Sequence, residues 1–309
     1  MNVLVVHSGS KGKISPFVSD QVAFLKKRGV EFDYFAIGGS GAIGYLKKLP
    51  AYIKRLKKVK YDLIHAHYGY SGIFANLQRM VPVITTYHGT DINLTPERYF
   101  SQFSVWLSKT NIFVSKEQIK RIHFVRNFHL IPCGVDTSIF KPLPKKSARD
   151  KFGFEIGKKY ILFSSSFDRK VKNYQLAAKV VEKLSKKNNV ELIELKNYNR
   201  FEVSLLMNAV DVALLTSYTE GSPQFIKEAM ACNCPIVTTD VGDVKYLKGK
   251  SKLNGFYITS FDKDEIAVYV EKAFSIHTPI YLHKRILELE LDNKLVAKKI
   301  YSLYKKVIK

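Results

Sequence analysis

The sequence predicts an α/β chain made of two Rossmann-like, doubly wound domains facing an interdomain cleft. Three observations predict it. The chain has 309 residues, about two domains at roughly 150 residues each. Short β-branched runs alternate with helix-period segments, the pattern of parallel sheets covered on both faces. The alternation breaks once, at the proline-punctuated stretch Lys141-Pro142-Leu143-Pro144-Lys145-Lys146-Ser147, and then restarts. This places an N-terminal domain over 1–144 and a C-terminal domain over 145–283. The last basic, helical segment, about 284–309, is free to pack back on the first domain.

The strands expected in the first half are Val3–His7, Phe32–Ile37, Leu63–Ala66, Pro82–Thr86, Ile112–Ser115 and His129–Pro132. A helix over Pro16–Arg28 starts with Ser15 as N-cap and Pro16 in its first turn, and Gly29 stops it. In the second half strands are expected at Tyr160–Ser164, Val190–Leu195, Val212–Leu215, Pro235–Thr239 and Phe256–Ile258. Helices fit Asn173–Lys187 and Pro223–Cys232 between them. Ligands of such sheets sit beyond the carboxyl ends of the strands, so the loops there are where chemistry is sought.

Composition narrows the function classes. A hydrophobic fraction of 46% with 13% aromatics excludes a disordered chain. Cys133, Cys232 and Cys234 are too few for a disulfide framework or a four-cysteine zinc site, so a reduced, cytoplasmic setting is expected. No apolar run approaches the ~20 residues needed to span a bilayer, and Met1–His7 reads as a buried strand rather than a signal peptide. The net charge of +23 draws the protein toward nucleic acid, anionic lipid or phosphorylated small molecules. Residues 41–60 hold seven basic residues and no acid.

Five loops can carry chemistry. His7–Pro16 follows a strand and opens a helix; Gly9 and Gly12 would let backbone approach an anion, though an ordinary βα loop reads the same way. In Tyr61–Gly69, His67 should end a strand while His65 points into packing; a histidine there is either structural or ligand-facing. In Thr85–Asp91, His88 follows a strand. Asp91, three residues later, either orients the imidazole or caps the next segment. In Phe163–Asn173, Arg169 and Lys172 can reach a diphosphate, or form a solvated charge run.

The fifth loop is Thr219-Glu220-Gly221-Ser222-Pro223-Gln224-Phe225-Ile226-Lys227-Glu228. Ser222 is expected as N-cap and Pro223 as the first helical residue. The amides of Gln224 and Phe225 would then face phosphate oxygens. Glu228, further along, suits a ribose diol, or stands with Glu220 as one of two exposed helix carboxylates. Glu220 and Glu228 make a poor glycosidase pair: eight residues span roughly 12 Å of helix axis, and such carboxylates stand about 5–9.5 Å apart.

Glu220 and Glu228 with seven residues between them, then Ala229-Met230-Ala231 and Pro235-Ile236-Val237, resemble the retaining nucleotide-sugar glycosyltransferases of family 4, which have the GT-B fold. Ile131–Asp136 ahead of Phe140-Lys141-Pro142, His65–Gly69 and Thr86–Asp91 match in the same order, so the resemblance covers nearly the whole chain. It implies that the C-terminal domain binds the donor and the N-terminal domain the acceptor. Glu228 would hold the ribose, and Glu220 would face the transferred sugar or its phosphate. Arg169 and Lys172 would neutralise the diphosphate with the amides after Ser222, Pro223 and Gln224. His88 would lie near the reacting centre, Gly12 would let the first loop pass the diphosphate, and His67 and Asp91 would fall on the acceptor side.

The sequence departs from the family pattern in places. Arg169 and Lys172 are three residues apart where the family's pair is more widely spaced. Gly242-Asp243-Val244-Lys245 lacks the family's glutamate, and Leu195–Glu202 is trimmed.

The expected activity is transfer with retention from a nucleotide-sugar to a glycan or lipid-linked acceptor, for a cell-envelope polysaccharide or glycolipid. No cofactor and no metal are expected, because no DxD-like motif is present. The basic 47–60 stretch, interrupted by Pro50, would meet an anionic membrane from the cytoplasmic side, or simply solubilise a core helix. The competing readings are a nucleic-acid-binding protein, which explains the charge but lacks the motifs for it, and another GT-B enzyme such as a nucleotide-sugar epimerase.

Overall fold

The computed structural model describes residues 1–8, 14–38, 41–250 and 253–308. The chain divides into two compact units: Met1–Gly134 with Asn293–Lys309, and Val135–Asp292. Unit 1 runs β1 (Asn2–His7), α1 (Pro16–Lys26), β2 (Glu31–Ala36), α2 (Gly41–Lys58), β3 (Leu63–His67), α3 (Gly69–Ala75), β4 (Val83–Tyr87), α4 (Thr90–Asn93), α5 (Glu97–Leu107), β5 (Thr110–Phe113), α6 (Lys116–Lys120) and β6 (Phe128–Leu130). Unit 2 runs α7 (Lys145–Phe152), β7 (Lys159–Phe163), a 3-10 turn (Lys170–Lys172), α8 (Tyr174–Leu184), β8 (Val190–Glu194) and α9 (Arg200–Ala209). It continues with β9 (Val212–Leu215), α10 (Gln224–Ala231), β10 (Ile236–Thr239), α11 (Val244–Lys248), β11 (Phe256–Thr259), α12 (Lys263–Phe274) and α13 (Leu282–Glu288). The chain then returns to unit 1 as α14 (Asn293–Ile308).

Both sheets are parallel. The order is β2-β1-β3-β4-β5-β6 in unit 1 and β11-β10-β9-β7-β8 in unit 2. Each is a Rossmann-like sheet with a switch point, between β1 and β3 in unit 1 and between β7 and β9 in unit 2. The central strands are apolar on both faces because helices cover both: Val3, Leu4, Val5 and Val6 are all fully buried.

The unit boundary, between Gly134 and Val135, lies ten residues before the expected one at 144/145. Phe140 is already fully buried in the unit 2 core, and Val135 N–H donates to the Leu291 carbonyl at 2.8 Å. The expected terminal helix is two helices. In α13, Leu282 and Ile286 pack into unit 2; in α14, Val296, Ala297, Ile300, Leu303 and Tyr304 pack into unit 1.

Helix α2 runs straight through Pro50, where an interruption was expected. Pro50 is exposed, while Leu49, Tyr52, Ile53 and Leu56 pack against β1 and β3 residues such as Leu4 and Ile64. That burial outweighs the ~3 kcal/mol cost of an internal proline.

Helix α5 is inverted relative to the usual amphipathic pattern. It buries Ser101, Ser104 and Val105 and exposes Tyr99, Phe100, Phe103 and Trp106. The inversion follows from close approach to α3. A Cβ on Gly69 would lie 1.9 Å from Ser101 Oγ, and one on Gly72 2.0 Å from Ser104 Oγ. Only small residues fit that seam, so the large ones face out.

Candidate active site

The loops after β7 and β9 meet at the switch point of unit 2. Thr216 Oγ1 donates to the carbonyls of Lys172 (2.9 Å) and Asn173 (3.0 Å), and Tyr218 N–H donates to the Val171 carbonyl (3.0 Å). These bonds fix the 3-10 turn so that Lys172, almost fully buried, points its Nζ at Glu220 Oε1, 2.6 Å away. Ser217 Oγ donates to the same carboxylate oxygen at 2.7 Å. An ammonium has three donors, so this pair orients Lys172 and leaves it capacity for an anion. At the end of β7, the buried Ser164 hydroxyl has no hydrogen-bond partner among the described residues. Arg169, three residues before Lys172, is exposed.

The start of α10 differs from the sequence expectation. Pro223, not Ser222, is the N-cap (φ −64, ψ 114), and Gln224 is the first helical residue. Ser222 turns inward: its hydroxyl donates to Asp243 Oδ2 at 2.7 Å and accepts from Lys227 Nζ at 3.1 Å. Lys227 is fully buried, because α10 is covered on nearly every side. Burial lifts the Asp243 carboxyl to about 6, with Lys227 and the Ser222 hydrogen bond pulling the other way. The Gly221 carbonyl lies 2.8 Å from where a Cβ on Gly242 would stand, and Gly242 has φ +59. Only glycine allows those two loops to touch there. Further along α10, Glu228 is buried and ion-paired through Oε1 with Arg200 Nη1. The guanidinium of Arg200 also sits 4.5 Å from the Phe140 ring. The sequence reading did not foresee this cation on Glu228.

Unit 1 presents histidines at the carboxyl ends of its strands. His7 ends β1, His67 ends β3, and His88 follows β4. His67 Nδ1 and His88 Nε2 are 2.9 Å apart, with near-parallel rings 5.2 Å between centroids. Cys133 Sγ lies 3.6 Å from His88 Nδ1, and the rings of Phe17 and Tyr68 stand 4.8 Å from it on their centroids. Behind them, His65 is buried between Tyr304 Oη (2.5 Å) and Thr86 Oγ1 (2.7 Å). Burial drives the His65 imidazole down to about 3, holds His67 well below the ordinary value, and lowers His7 in the same direction. Burial thus favours the neutral form of His65 and His67.

Asp91 does not orient the His88 ring. Its carboxylate accepts from the backbone N–H groups of Gly89 (2.8 Å), His88 (3.1 Å) and Gly69 (3.2 Å). Burial raises it to about 6 against those bonds. Of the two readings the sequence left open, the geometry favours the structural one, with the carboxylate tying the turn before α4 to the first residue of α3. His67 and Asp91, expected on the acceptor side, are both buried. Both hold His88, one by its ring and one by its backbone. Gly12 lies outside the described residues. Among the described residues no group of three or more His, Cys, Asp or Glu is placed to hold a metal ion.

Arg200, Lys227 and Asp243 were not singled out by the sequence as site residues. Arg200 sits inside the trimmed segment and reads as one more surface cation. Lys227 and Asp243 are sixteen residues apart and meet only through folding. The one available signal was the full apolar flank of Lys227, Phe225-Ile226 before it and Ala229-Met230-Ala231 after Glu228, which leaves no solvent face for it.

Two parallel doubly wound units, the second with a cation–carboxylate pair and a helix start at its switch point, define the GT-B class of glycosyltransferases. The comparisons agree. The family described as Glycosyltransferase Family 4 matches residues 34–139, and Glycosyl transferases group 1 matches residues 192–286. The chain belongs to the family 4 glycosyltransferases.

A Bacillus subtilis (strain 168) protein named for teichuronic acid biosynthesis as a glycosyltransferase, TuaC, is 24% identical over 220 residues, 61% of this chain and 56% of that relative. The matched part thus spans little more than half of TuaC. Sucrose-phosphate synthase from Thermosynechococcus elongatus superposes with a TM-score of 0.78 at 16% identity, covering 99% of this chain and 98% of that one. Anabaena HepE in complex with UDP gives 0.74 at 15% identity, covering 99% and 100%.

Proposed function

We propose that this chain is a retaining glycosyltransferase. It takes a sugar from a nucleotide-sugar and passes it to a glycan or lipid-linked acceptor in cell-envelope polysaccharide or glycolipid synthesis, on the cytoplasmic side of the membrane. The observation that carries the reading is the buried Lys172–Glu220 pair at the β7/β9 switch point, four residues before α10 begins.

In this reading Lys172 and the first-turn amides of α10 hold the donor diphosphate. Negative charge grows on the leaving nucleoside diphosphate as the glycosidic bond lengthens, and fixed donors stabilise it without reorganising. Protein cations rather than a metal are assigned this role. Glu220 keeps Lys172 aimed and faces the transferred sugar. Glu228, fixed by Arg200, meets the ribose. Arg169 adds an exposed positive charge. The acceptor hydroxyl loses its proton to a departing phosphate oxygen, which suits transfer with retention. His88, held by His67 and by the Asp91-capped backbone, polarises the reacting group and does not anchor the donor. HepE has been solved with UDP and with UDP-glucose, which supports uridine diphosphate sugars as the first donors to try. The naming of TuaC for teichuronic acid biosynthesis supports a polysaccharide product. The lysines of α2, exposed while its apolar side is occupied by the core, support an electrostatic approach to an anionic surface.

The test is a thermal-shift panel of UDP-, GDP-, ADP- and CMP-sugars. One base class should stabilise the protein, and Glu228→Gln should remove most of that shift. His88→Ala should cut turnover while the shift remains. No stabilisation by any donor would sink the reading.

A further inference from the structure

The α5 face described above is not used by the proposed transfer. Its exposed residues Tyr99, Phe103 and Trp106 fall at i, i+4 and i+7, with Phe100 beside them. Phe103 is 62% and Trp106 59% exposed. The exposed Tyr70 and the half-buried Tyr45 on neighbouring segments widen the patch. Tyr70 of α3 packs at 5.1 Å on Phe100, and Tyr45 of α2 at 6.4 Å on Tyr70, so the patch runs toward the lysine-bearing helix. On another side, Gln102 Nε2 donates to the carbonyl of the exposed Phe124. A contiguous surface of this kind on a soluble unit signals a docking function.

Charge decides the occupant. The only acid on α5 is Glu97, in its first turn. Arg98 lies over the Tyr99 ring at 6.0 Å, and Arg121 Nη1 donates to the Asn93 carbonyl near the same end. At the other end Arg79 Nη1 donates to the Leu107 carbonyl at 3.3 Å. Arg79, Lys109 and Arg126 line, with Trp106, a cavity of about 660 Å3. An aromatic belt with cations at both ends fits the interface of an anionic bilayer: rings enter at headgroup depth, and guanidinium groups meet phosphates. A second copy of this chain would set like charges opposite each other across a two-fold interface.

We propose that the aromatic face of α5 is an interfacial anchor that seats unit 1 on an anionic phospholipid surface, Trp106 entering the headgroup region beside the Arg79–Lys109–Arg126 cavity. The proposal deepens the membrane side of the functional reading but does not need the α2 lysines to be the contact.

Trp106 is the one tryptophan in the chain, so the intact protein carries its own reporter. Vesicles of phosphatidylglycerol and phosphatidylcholine should shift Trp106 emission to the blue, and acyl-brominated lipid should quench it. Pure phosphatidylcholine should do so weakly. The double variant Tyr99→Ser, Phe103→Ser, at exposed positions, should lower partition onto the anionic vesicles at least about tenfold. Its melting temperature and its turnover of a soluble donor should stay as in the wild type. Changing Lys47, Lys48, Lys54, Lys57 and Lys58 to Ser should weaken binding, yet leave brominated-lipid quenching in the fraction that binds. Three results would overturn the proposal. Vesicles could pellet the protein with Trp106 emission unchanged, which leaves the α2 approach standing alone. The blue shift could appear with protein concentration in the absence of lipid, marking a self-association face. Single-stranded RNA could quench Trp106 where vesicles do not, marking a nucleic-acid platform.

Discussion

The carboxyl ends of the two sheets solve opposite electrostatic problems. In unit 2 the switch point is built from fixed charge: Lys172 on Glu220, Arg200 on Glu228, and buried Lys227 joined to Asp243 through Ser222. In unit 1 the same position in the topology carries imidazoles that burial keeps neutral, and a carboxylate that is spent on backbone amides. The difference teaches that one fold, used twice, is specialised by what its loops do with charge. Paired ions oriented in advance suit a diphosphate. Neutral imidazoles suit a polar group that must be positioned without being ionised.

The comparison breaks most visibly at Asp91. Asp91→Ala leaves the buried amides of His88, Gly89 and Gly69 without their acceptor. Chemical denaturation should show a loss of about 3 kcal/mol, with donor affinity of the folded protein retained. Lost affinity at unchanged stability would mean that Asp91 faces a ligand.

The second test is pH. His65 and His67 have pKa values below those of the unfolded chain, so unfolding takes up protons at acid pH. Their contribution is complete above ~6.5 and is lost as pH falls, at ~1.4 kcal/mol per pH unit for each group. Asp91 and Asp243, raised to about 6, act in the opposite sense: the folded chain holds their protons more tightly, so acidification below about 6 favours folding. His65→Gln should remove one group's slope between pH 6.5 and 5.5. An unchanged slope would show that the ring is not held neutral.

The smallest effect is expected at the exposed cation. Arg169→Ser should weaken donor binding only about twofold, ~0.5 kcal/mol, because solvent screens that charge. A loss equal to that of a Lys172 variant would make the two residues equal partners and blur the contrast between buried and solvated cations.

The sheets were legible in the sequence because a strand covered on both faces is a short β-branched run with turn residues at its ends; Val3–His7 and Val212–Leu215 are plain examples. Partnerships between loops were not. Lys172 and Glu220 are 48 residues apart, and nothing in either loop announces the other. The same holds for Arg200 and Glu228. Ser222 before Pro223 reads as a cap, but Lys227 and Asp243 claim its hydroxyl, and neither claim is local. Pro50 reads as a break, yet Tyr52 and Leu56 anchor the helix past it. In α5 a helix-period reading would put the aromatics inside; Gly69 and Gly72 reverse the face by admitting only serines at the seam.

The central claim is that unit 2 grips a pyrophosphate with Lys172 as its buried cation. Calorimetric titration of the intact chain with UDP and with uridine tests it most directly. Lys172→Met, alone and with Glu220→Gln to remove the stranded carboxylate, should weaken UDP about thirtyfold, ~2 kcal/mol, and leave uridine affinity unchanged. Equal affinity of wild type and variants for UDP, or an equal loss for both ligands, would contradict the account.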